Sequence, residues 1–143
     1  MKIKVQDAIG PVLDWLVAKA EGLRSSVMTE RDCGQSRARP LGRWCAINVT
    51  PVGHDVFSPS TNPAQGHPII EREHIEPDWW HGSSRWRATS PENCRYDERG
   101  EYITDSECPM FGPTALIAAM RCYVASKFGD VVEVPDELCN KEV

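Results

Sequence analysis

Few side chains in this sequence have the types and spacing of a catalytic site. Glu71 and Glu73 stand two residues apart, so on a strand they would share a face and could act as acid and base. Arg72 lies between them, however, and such alternating charges are more typical of an ordinary strand edge. The sequence contains neither the hydrolase motifs H-E-x-x-H and G-x-S-x-G nor a glycine-rich phosphate loop. We therefore expect no catalytic residues, and a binding protein is favoured over an enzyme.

The histidines and cysteines do not have the spacing of a metal site. They are His54, His67, His74 and His81, with Cys33, Cys45, Cys94, Cys108, Cys122 and Cys139. No two cysteines form a C-x-x-C pair, which argues against a zinc or a thioredoxin-like site. Without an export signal the cysteines are expected to be reduced, structural thiols. We predict no metal and no cofactor.

Hydroxyl and amide side chains are concentrated in residues 57–68, where proline and other turn-forming residues predict a loop. Such a loop offers neutral hydrogen-bond donors and acceptors without a paired nucleophile and base. Its candidate ligand-binding residues are Ser58, Ser60, Thr61, Asn62, Gln65 and Gly66.

A second group of candidates surrounds the start of the most apolar helix. Gly112 and Thr114 precede that helix, whose first N–H groups can receive a phosphate or carboxylate, although simple capping is the commoner role. Arg72 or Arg121 would supply positive charge. Trp86 would supply a stacking face for a planar ring, or it closes one end of the core. We predict that these residues and the polar loop form one pocket.

The helices that must position these residues are indicated by apolar periodicity. Residues 111–128 place Leu116, Ile117, Met120, Val124 and Phe128 three or four apart, which predicts a helix with one apolar face. A strand at residues 3–5 and a helix at residues 11–21 open the chain, and short strands are predicted at residues 44–49, 85–89, 101–104 and 131–134. The pattern predicts a single α+β domain with two amphipathic helices on one face of a small, mostly antiparallel sheet.

Two segments interrupt this pattern. Residues 23–43 contain five arginines and little apolar periodicity, which predicts a mobile basic insertion. Such a segment could cover an anionic ligand, but a solvated surface loop is the commoner case. Residues 90–109 are polar and acidic, and we predict a loop or hairpin there.

The net charge and the lengths of the apolar runs limit the classes of partner that the protein can have. The chain has 143 residues and a net charge of −5, which argues against binding long nucleic acid. No apolar run approaches the ~20 residues that cross a bilayer. The N-terminal residues lack the pattern of a signal peptide, so a cytoplasmic location is expected.

Several longer segments resemble the NinX family of small phage proteins. The segments are Leu13–Lys19, Ser58–Asn62, Ala64–Gly66, Pro68–Glu73, Gly112–Lys127 and Val132–Pro135. Where Asn62 and Pro63 stand, the family usually has Asp and Trp, and it has Gly in place of His67. The resemblance implies a phage accessory protein without an established catalytic activity, made in the cytoplasm of the bacterial host.

Three functions are compatible with these features. The favoured hypothesis is a non-enzymatic binding module for a small polar or phosphate-bearing, nucleotide-like ligand, which would sequester a host-defence signal. The second is a protein-interaction module that binds a host or phage enzyme through the Trp79–Trp86 region. A small hydrolase is favoured least. A homodimer with the ligand site at its interface is one arrangement that the sequence allows.

Overall fold

The computed structural model describes residues 1–23, 25–29, 44–50, 53–91, 95, 96, 98–103 and 109–139. Its helices are α1 (Pro11–Ala20), α2 (Pro63–Arg72), α3 (Ala115–Phe128) and the short α4 (Asp136–Cys139). Its strands are β1 (Lys2–Lys4), β2 (Ser25–Thr29), β3 (Trp44–Thr50), β4 (Gly53–Val56), β5 (Glu76–Trp80), β6 (Arg85–Thr89), β7 (Arg95–Tyr96), β8 (Tyr102–Ile103), β9 (Met110–Gly112) and β10 (Val131–Glu133). A 3₁₀ turn at Val5–Asp7 joins β1 to the segment before α1.

The described strands pair only in antiparallel fashion. They form two three-stranded sheets, in the orders β2-β3-β4 and β5-β6-β9, and two two-stranded sheets, β1-β10 and β7-β8. Helices and antiparallel strands together confirm the predicted α+β class. The strands predicted at the start of the chain, at β3, β6, β8 and β10 are present, and each end is shifted by no more than one residue.

Helix α3 lies at the centre of the domain. Its residues from Ile117 to Ala125 are all buried, and it packs against α1, α2, β5, β6 and β9. The small side chains of Ala118, Ala119 and Cys122 let neighbouring elements approach closely. The predicted burial of Ile117, Met120 and Val124 is confirmed, whereas Leu116 is half-buried and Phe128 is exposed. The helix is therefore enclosed on all sides and does not have the single apolar face that was predicted.

The beginning of α3 differs from the prediction. Met110–Gly112 form the edge strand β9, which pairs with β6, so the helix does not begin at Phe111 or Pro113. Thr114 is the N-cap residue, and its Oγ1 accepts a hydrogen bond from Ile117 N at 3.1 Å. The predicted end is confirmed, because Gly129 follows the last turn with a φ of 84°.

Helix α2 replaces the second half of the loop predicted at residues 57–68. Asn62 is its N-cap, with its side-chain oxygen accepting from Ala64 N at 3.0 Å, and Pro63 occupies the first turn. Both are ordinary helix-start signals. The loop was predicted from the density of turn-forming residues in this segment, which include Pro68, a residue that lies inside the helix although proline usually interrupts one.

The two segments predicted as loops are described only in part. Within residues 23–43, Ser25–Thr29 form β2, and all five arginines of this segment lie outside the described residues. Within residues 90–109, β7 and β8 pair as a short hairpin, while residues 92–94, 97 and 104–108 lie outside.

The burial of α3 predicts a large effect for Met120→Asp. The substitution places an unpaired charge where the side chain is fully buried, so the free energy of unfolding should fall by about 3–5 kcal/mol. Phe128→Asp, on the exposed end of the same helix, should change it by less than about 1 kcal/mol. Urea denaturation of both variants measures the difference. Equal effects would show that α3 is packed differently.

Candidate functional site

The described polar residues around α3 fall on two faces of the helix. Arg121 and Tyr123 are two residues apart, which corresponds to roughly 200° around the helix axis. Arg121 lies at a surface pocket beside β9, whereas Tyr123 contacts the end of α2.

The pocket beside β9 has a volume of about 350 Å³. It is lined by Gln6, Ser84, Arg85, Phe111, Gly112, Pro113 and Arg121. These residues come from the first 3₁₀ turn, the β5–β6 turn, the edge strand β9 and the middle of α3. Two of the seven are arginines, so the pocket carries concentrated positive charge.

Arg121 is held inside the domain with only 7% of its surface exposed. Its Nε donates to the carbonyl oxygen of Ala8 at 2.8 Å, and its Nη1 donates to that of Phe111 at 2.6 Å. Burial lowers the pKa of Arg121, but an arginine stays protonated in proteins. In the described part of the chain no carboxylate forms an ion pair with it. Two carbonyl dipoles hold this positive charge, and the charge of the Asp7 carboxylate acts to raise the pKa of Arg121.

Arg85 supplies the second charge from the start of β6. Its guanidinium carbon lies 3.7 Å from the centroid of the Phe111 ring, and its Nε donates to Ser83 Oγ at 2.9 Å. Its side chain is exposed, and it too has no carboxylate partner among the described residues. By contrast, Arg87 on the same strand forms a two-point ion pair with Asp78.

The local sequence explains why β9 can form one wall of this pocket. The Gln6 side chain pairs with the open edge of the strand, donating to Phe111 O at 2.8 Å and accepting from Phe111 N at 3.0 Å. At Gly112 a Cβ atom would lie 2.8 Å from Ala118 N, so a larger residue would push β9 away from α3. The turn before β6 ends at Ser84, which has a φ of 50°, in the left-handed region.

On the α2 side, the predicted polar residues bond mainly to one another. Ser58 N donates to Gln65 Oε1 at 2.7 Å, and Thr61 Oγ1 donates to Ser58 O at 3.5 Å. Gly66 lies so close to α3 that a Cβ atom would be 2.6 Å from Leu116 Cδ1. These contacts build the turn and dock α2 onto the first turn of α3.

Ser60 belongs to the same turn and joins it to α1. Its N–H donates to Asp14 Oδ1 at 2.9 Å, and both residues are buried. The Ser60 hydroxyl has no hydrogen-bond partner in the described structure. Burial raises the pKa of the Asp14 carboxyl from 3.8 to about 6, although the hydrogen bond from Ser60 acts in the opposite direction.

Arg72 is engaged in a network at the carboxyl ends of the three long helices. Its guanidinium donates to both carboxylate oxygens of Glu21, at 3.1 and 2.6 Å, and to Tyr123 Oη at 3.3 Å. The Tyr123 hydroxyl donates to Glu21 Oε2 at 2.7 Å. Burial acts to raise the pKa of Glu21, but the hydrogen bonds from Arg72 and Tyr123 lower it below its usual value. The charge of Arg72 is therefore neutralised locally.

The predicted ligand-binding residues are thus divided between two faces of α3. Gly112 and Arg121 line the pocket beside β9, called here the arginine pocket because Arg85 and Arg121 both line it. Thr114 caps α3 nearby. Trp86 lies directly opposite Gly112 in the β6–β9 pairing, with its ring 5.8 Å from that of Trp79 in an edge-to-face contact. The residues on the α2 side are Ser58, Ser60, Thr61, Asn62, Gln65, Gly66 and Arg72. Their role in ligand binding stays a prediction.

Sequence reasoning missed Gln6, Ser84, Arg85 and Phe111. The arginines on either side of Trp86 were visible in the sequence. Their separation into a paired Arg87 and an Arg85 stacked on Phe111 depends on which strands are neighbours, which periodicity does not reveal.

The glutamates considered as an acid–base pair are not on a strand. Glu71 is in the last turn of α2 and Glu73 caps it, so their side chains point in different directions. Glu71 interacts with His67, and Glu73 lies 3.6 Å from Lys127 Nζ. The strand geometry assumed for a hydrolase is therefore wrong. Within the described residues, no three His, Cys, Asp or Glu side chains cluster to hold a metal ion.

Fold and pocket together define a small α+β domain with an arginine-lined surface cavity. A protein-family model described as bacteriophage P22 NinX matches residues 4–127 of the chain. Because the match covers most of its length, the chain belongs to this family of phage proteins. No curated protein matches the chain. None of the described helices combines the length and apolarity needed to cross a membrane.

The buried Asp14 predicts a pH-dependent stability. Its folded pKa is raised, so the folded state binds the proton more tightly than the unfolded state. This group's contribution is therefore most favourable below pH ~4 and is lost as the pH rises towards 6, by about 3 kcal/mol in total. Asp14→Asn keeps the acceptor for Ser60 N without the charge. Its stability relative to the wild type should thus increase between pH 4.5 and 7.5 in urea denaturation. A difference that does not change with pH would contradict this assignment.

Proposed function

We propose that the protein binds a small anionic ligand, carrying a phosphate or carboxylate group, between Arg85 and Arg121 and leaves it chemically unchanged. One observation carries the proposal: both guanidinium groups line one pocket of about 350 Å³ and neither has a carboxylate partner in the described part of the chain. Arg72 and Arg87, which lie outside the pocket, each have such a partner.

Electrostatics favour an anion at this position. Burying a charge is costly, and Arg121 is compensated by two carbonyl dipoles and by the charge of Asp7, without an ion pair at contact distance in the described residues. An anion in the pocket would interact with this charge through a partly desolvated medium, where attraction is stronger than in water. The planar guanidinium of Arg85 presents several N–H groups in a geometry that suits phosphate and carboxylate oxygens.

The composition of the pocket supports binding without turnover. None of its seven described lining residues is a His, Cys, Asp, Glu or Lys, so the pocket offers no ordinary general base. A phage protein of this kind would act by lowering the free concentration of its ligand. Sequestration of a nucleotide signal of host defence is the role that we propose for it.

Replacement of Arg85 tests the site. Inorganic pyrophosphate, ADP-ribose and cyclic dinucleotides are screened for a rise in Tm, which ligand binding to the folded state must produce. Arg85→Gln should weaken the binding of an active probe by about 10- to 100-fold, as expected for lost hydrogen bonds to a charged group.

Arg87→Gln is the matched control, because it removes the same charge from the same face of β6, two residues away. For inorganic pyrophosphate, which has no ring to contact the neighbouring Trp80, it should leave the affinity within about threefold, since Asp78 already neutralises Arg87 and only a screened long-range interaction is lost. Equal loss in both variants, or no probe that raises the Tm, would contradict the proposal.

A second candidate function is protein interaction through the β5–β6 hairpin. Trp79 and Trp80 are 42% and 41% exposed, and they lie on opposite faces of the strand near its turn. Exposed tryptophans are frequent anchors of protein interfaces.

Affinity capture from infected cells distinguishes the two functions. If the protein acts through the hairpin, the Arg85→Gln variant should still capture a stoichiometric protein partner. A double Trp79→Ser, Trp80→Ser variant should not capture it. Capture of the same proteins by the double variant would exclude the hairpin as the anchor.

A further inference from the structure

We infer that the ligand is a nucleoside phosphate, with its phosphate at Arg85 and Arg121 and its base stacked on the outer face of the β5-β6-β9 sheet against Trp80. This inference rests on the anion site proposed above and adds to it the chemical class of the ligand.

The pairing register identifies the residues that share the outer face. Ala88 is fully buried and marks the inner face of β6. Because side chains alternate along a strand, Arg87 and, two residues before it, Arg85 face outward. Trp80 is directly opposite Arg85, and Phe111 is directly opposite Arg87. Two arginines and two aromatic rings therefore occupy one surface that extends from β5 to the pocket at β9.

These four side chains are arranged as two stacks. The guanidinium carbon of Arg85 lies 3.7 Å from the Phe111 ring centroid, and that of Arg87 lies 4.3 Å from a Trp80 ring centroid. The shorter distance requires the guanidinium to lie over the face of the Phe111 ring. Arg85 is exposed, so a further flat group could reach its side chain from solvent. Guanidinium planes and aromatic rings are the groups on which nucleic acid bases stack in proteins.

Trp80 is placed to complete this stacking surface. Opposite residues in an antiparallel pair have Cβ atoms ~5 Å apart, so Trp80 adjoins Arg85 across the ladder. The ring is held from two sides, by Arg87 over its face and by Gly82, where a Cβ atom would lie 3.0 Å from Nε1. It nevertheless remains 41% exposed. A base joined through a sugar to a phosphate in the pocket would reach this exposed surface.

Size and charge favour a mononucleotide over a polymer. The pocket of about 350 Å³ is at the small end of the range for small-molecule sites. The net charge of −5 opposes the accumulation of a long polyanion. Asp78 on the same face also limits the positive surface, since it pairs with Arg87.

The test separates the base from the phosphate. Titration calorimetry at a fixed salt concentration compares the affinities of the whole chain for AMP, ribose 5-phosphate and adenosine. AMP should bind at least about tenfold more tightly than ribose 5-phosphate, because stacking of one base contributes about that factor. Trp80→Leu should lower the affinity for AMP to that for ribose 5-phosphate. The affinity for ribose 5-phosphate itself should not change. AMP should also quench the intrinsic fluorescence of the wild type more than that of Trp80→Leu.

Trp79→Leu is the matched control, because Trp79 is the adjacent residue with the same exposure but lies on the opposite face of β5. This variant should bind AMP and ribose 5-phosphate with the affinities of the wild type. Equal affinities for AMP and ribose 5-phosphate would overturn the inference while the anion site stands. Equal losses in the two tryptophan variants, or unchanged quenching by AMP in Trp80→Leu, would also overturn it. If neither phosphate binds, the proposed function itself fails.

Discussion

The burial of residues 117–125 of α3 is the constraint on which the rest of the domain depends. A helix segment enclosed on every side needs neighbours that come close, and the chain supplies them with small residues at the contacts. Gly66 lets α2 approach the first turn, and Gly112 lets β9 lie against Ile117 and Ala118. The sheet that carries the aromatic and arginine side chains is thereby fixed to the same helix that carries Arg121.

The charged residues of α3 follow from its burial. Arg121 is in the buried part of the helix and is compensated by two main-chain carbonyls, which fixes its position without neutralising it. On the opposite side, the Tyr123 hydroxyl enters an ion-pair network with Glu21 and Arg72, which stabilises the carboxyl ends of the helices. Under the proposed function Arg121 contacts the ligand, while Tyr123 belongs to the scaffold. Their different roles depend on their partners and not on their burial.

Much of the fold follows from local sequence signals, but the site depends on long-range pairing. Helix α1, strand β6 and the end of α3 at Gly129 were predictable from periodicity, proline and glycine. Helix α2 was hidden by Pro68, even though Asn62 and Pro63 are ordinary start signals. Arg121 and Gly112 were recognised as candidates because they belong to the most distinctive segment. Arg85 was not, because its proximity to Arg121 arises from the antiparallel pairing of β6 with β9.

The pairing of Gln6 with Phe111 also affects how the chain can fold during synthesis. A glutamine amide carries both donor and acceptor groups, so Gln6 bonds to the main-chain N–H and carbonyl of Phe111 at the open edge of β9 as a neighbouring strand would. Its partner comes 105 residues later, and β1 similarly pairs with β10 across most of the chain. Contacts of such high sequence separation form late, because the intervening loop must first close. On the ribosome, the N-terminal segment must therefore remain unpaired until β9 and β10 have emerged, and the arginine pocket is among the last features of the domain to assemble.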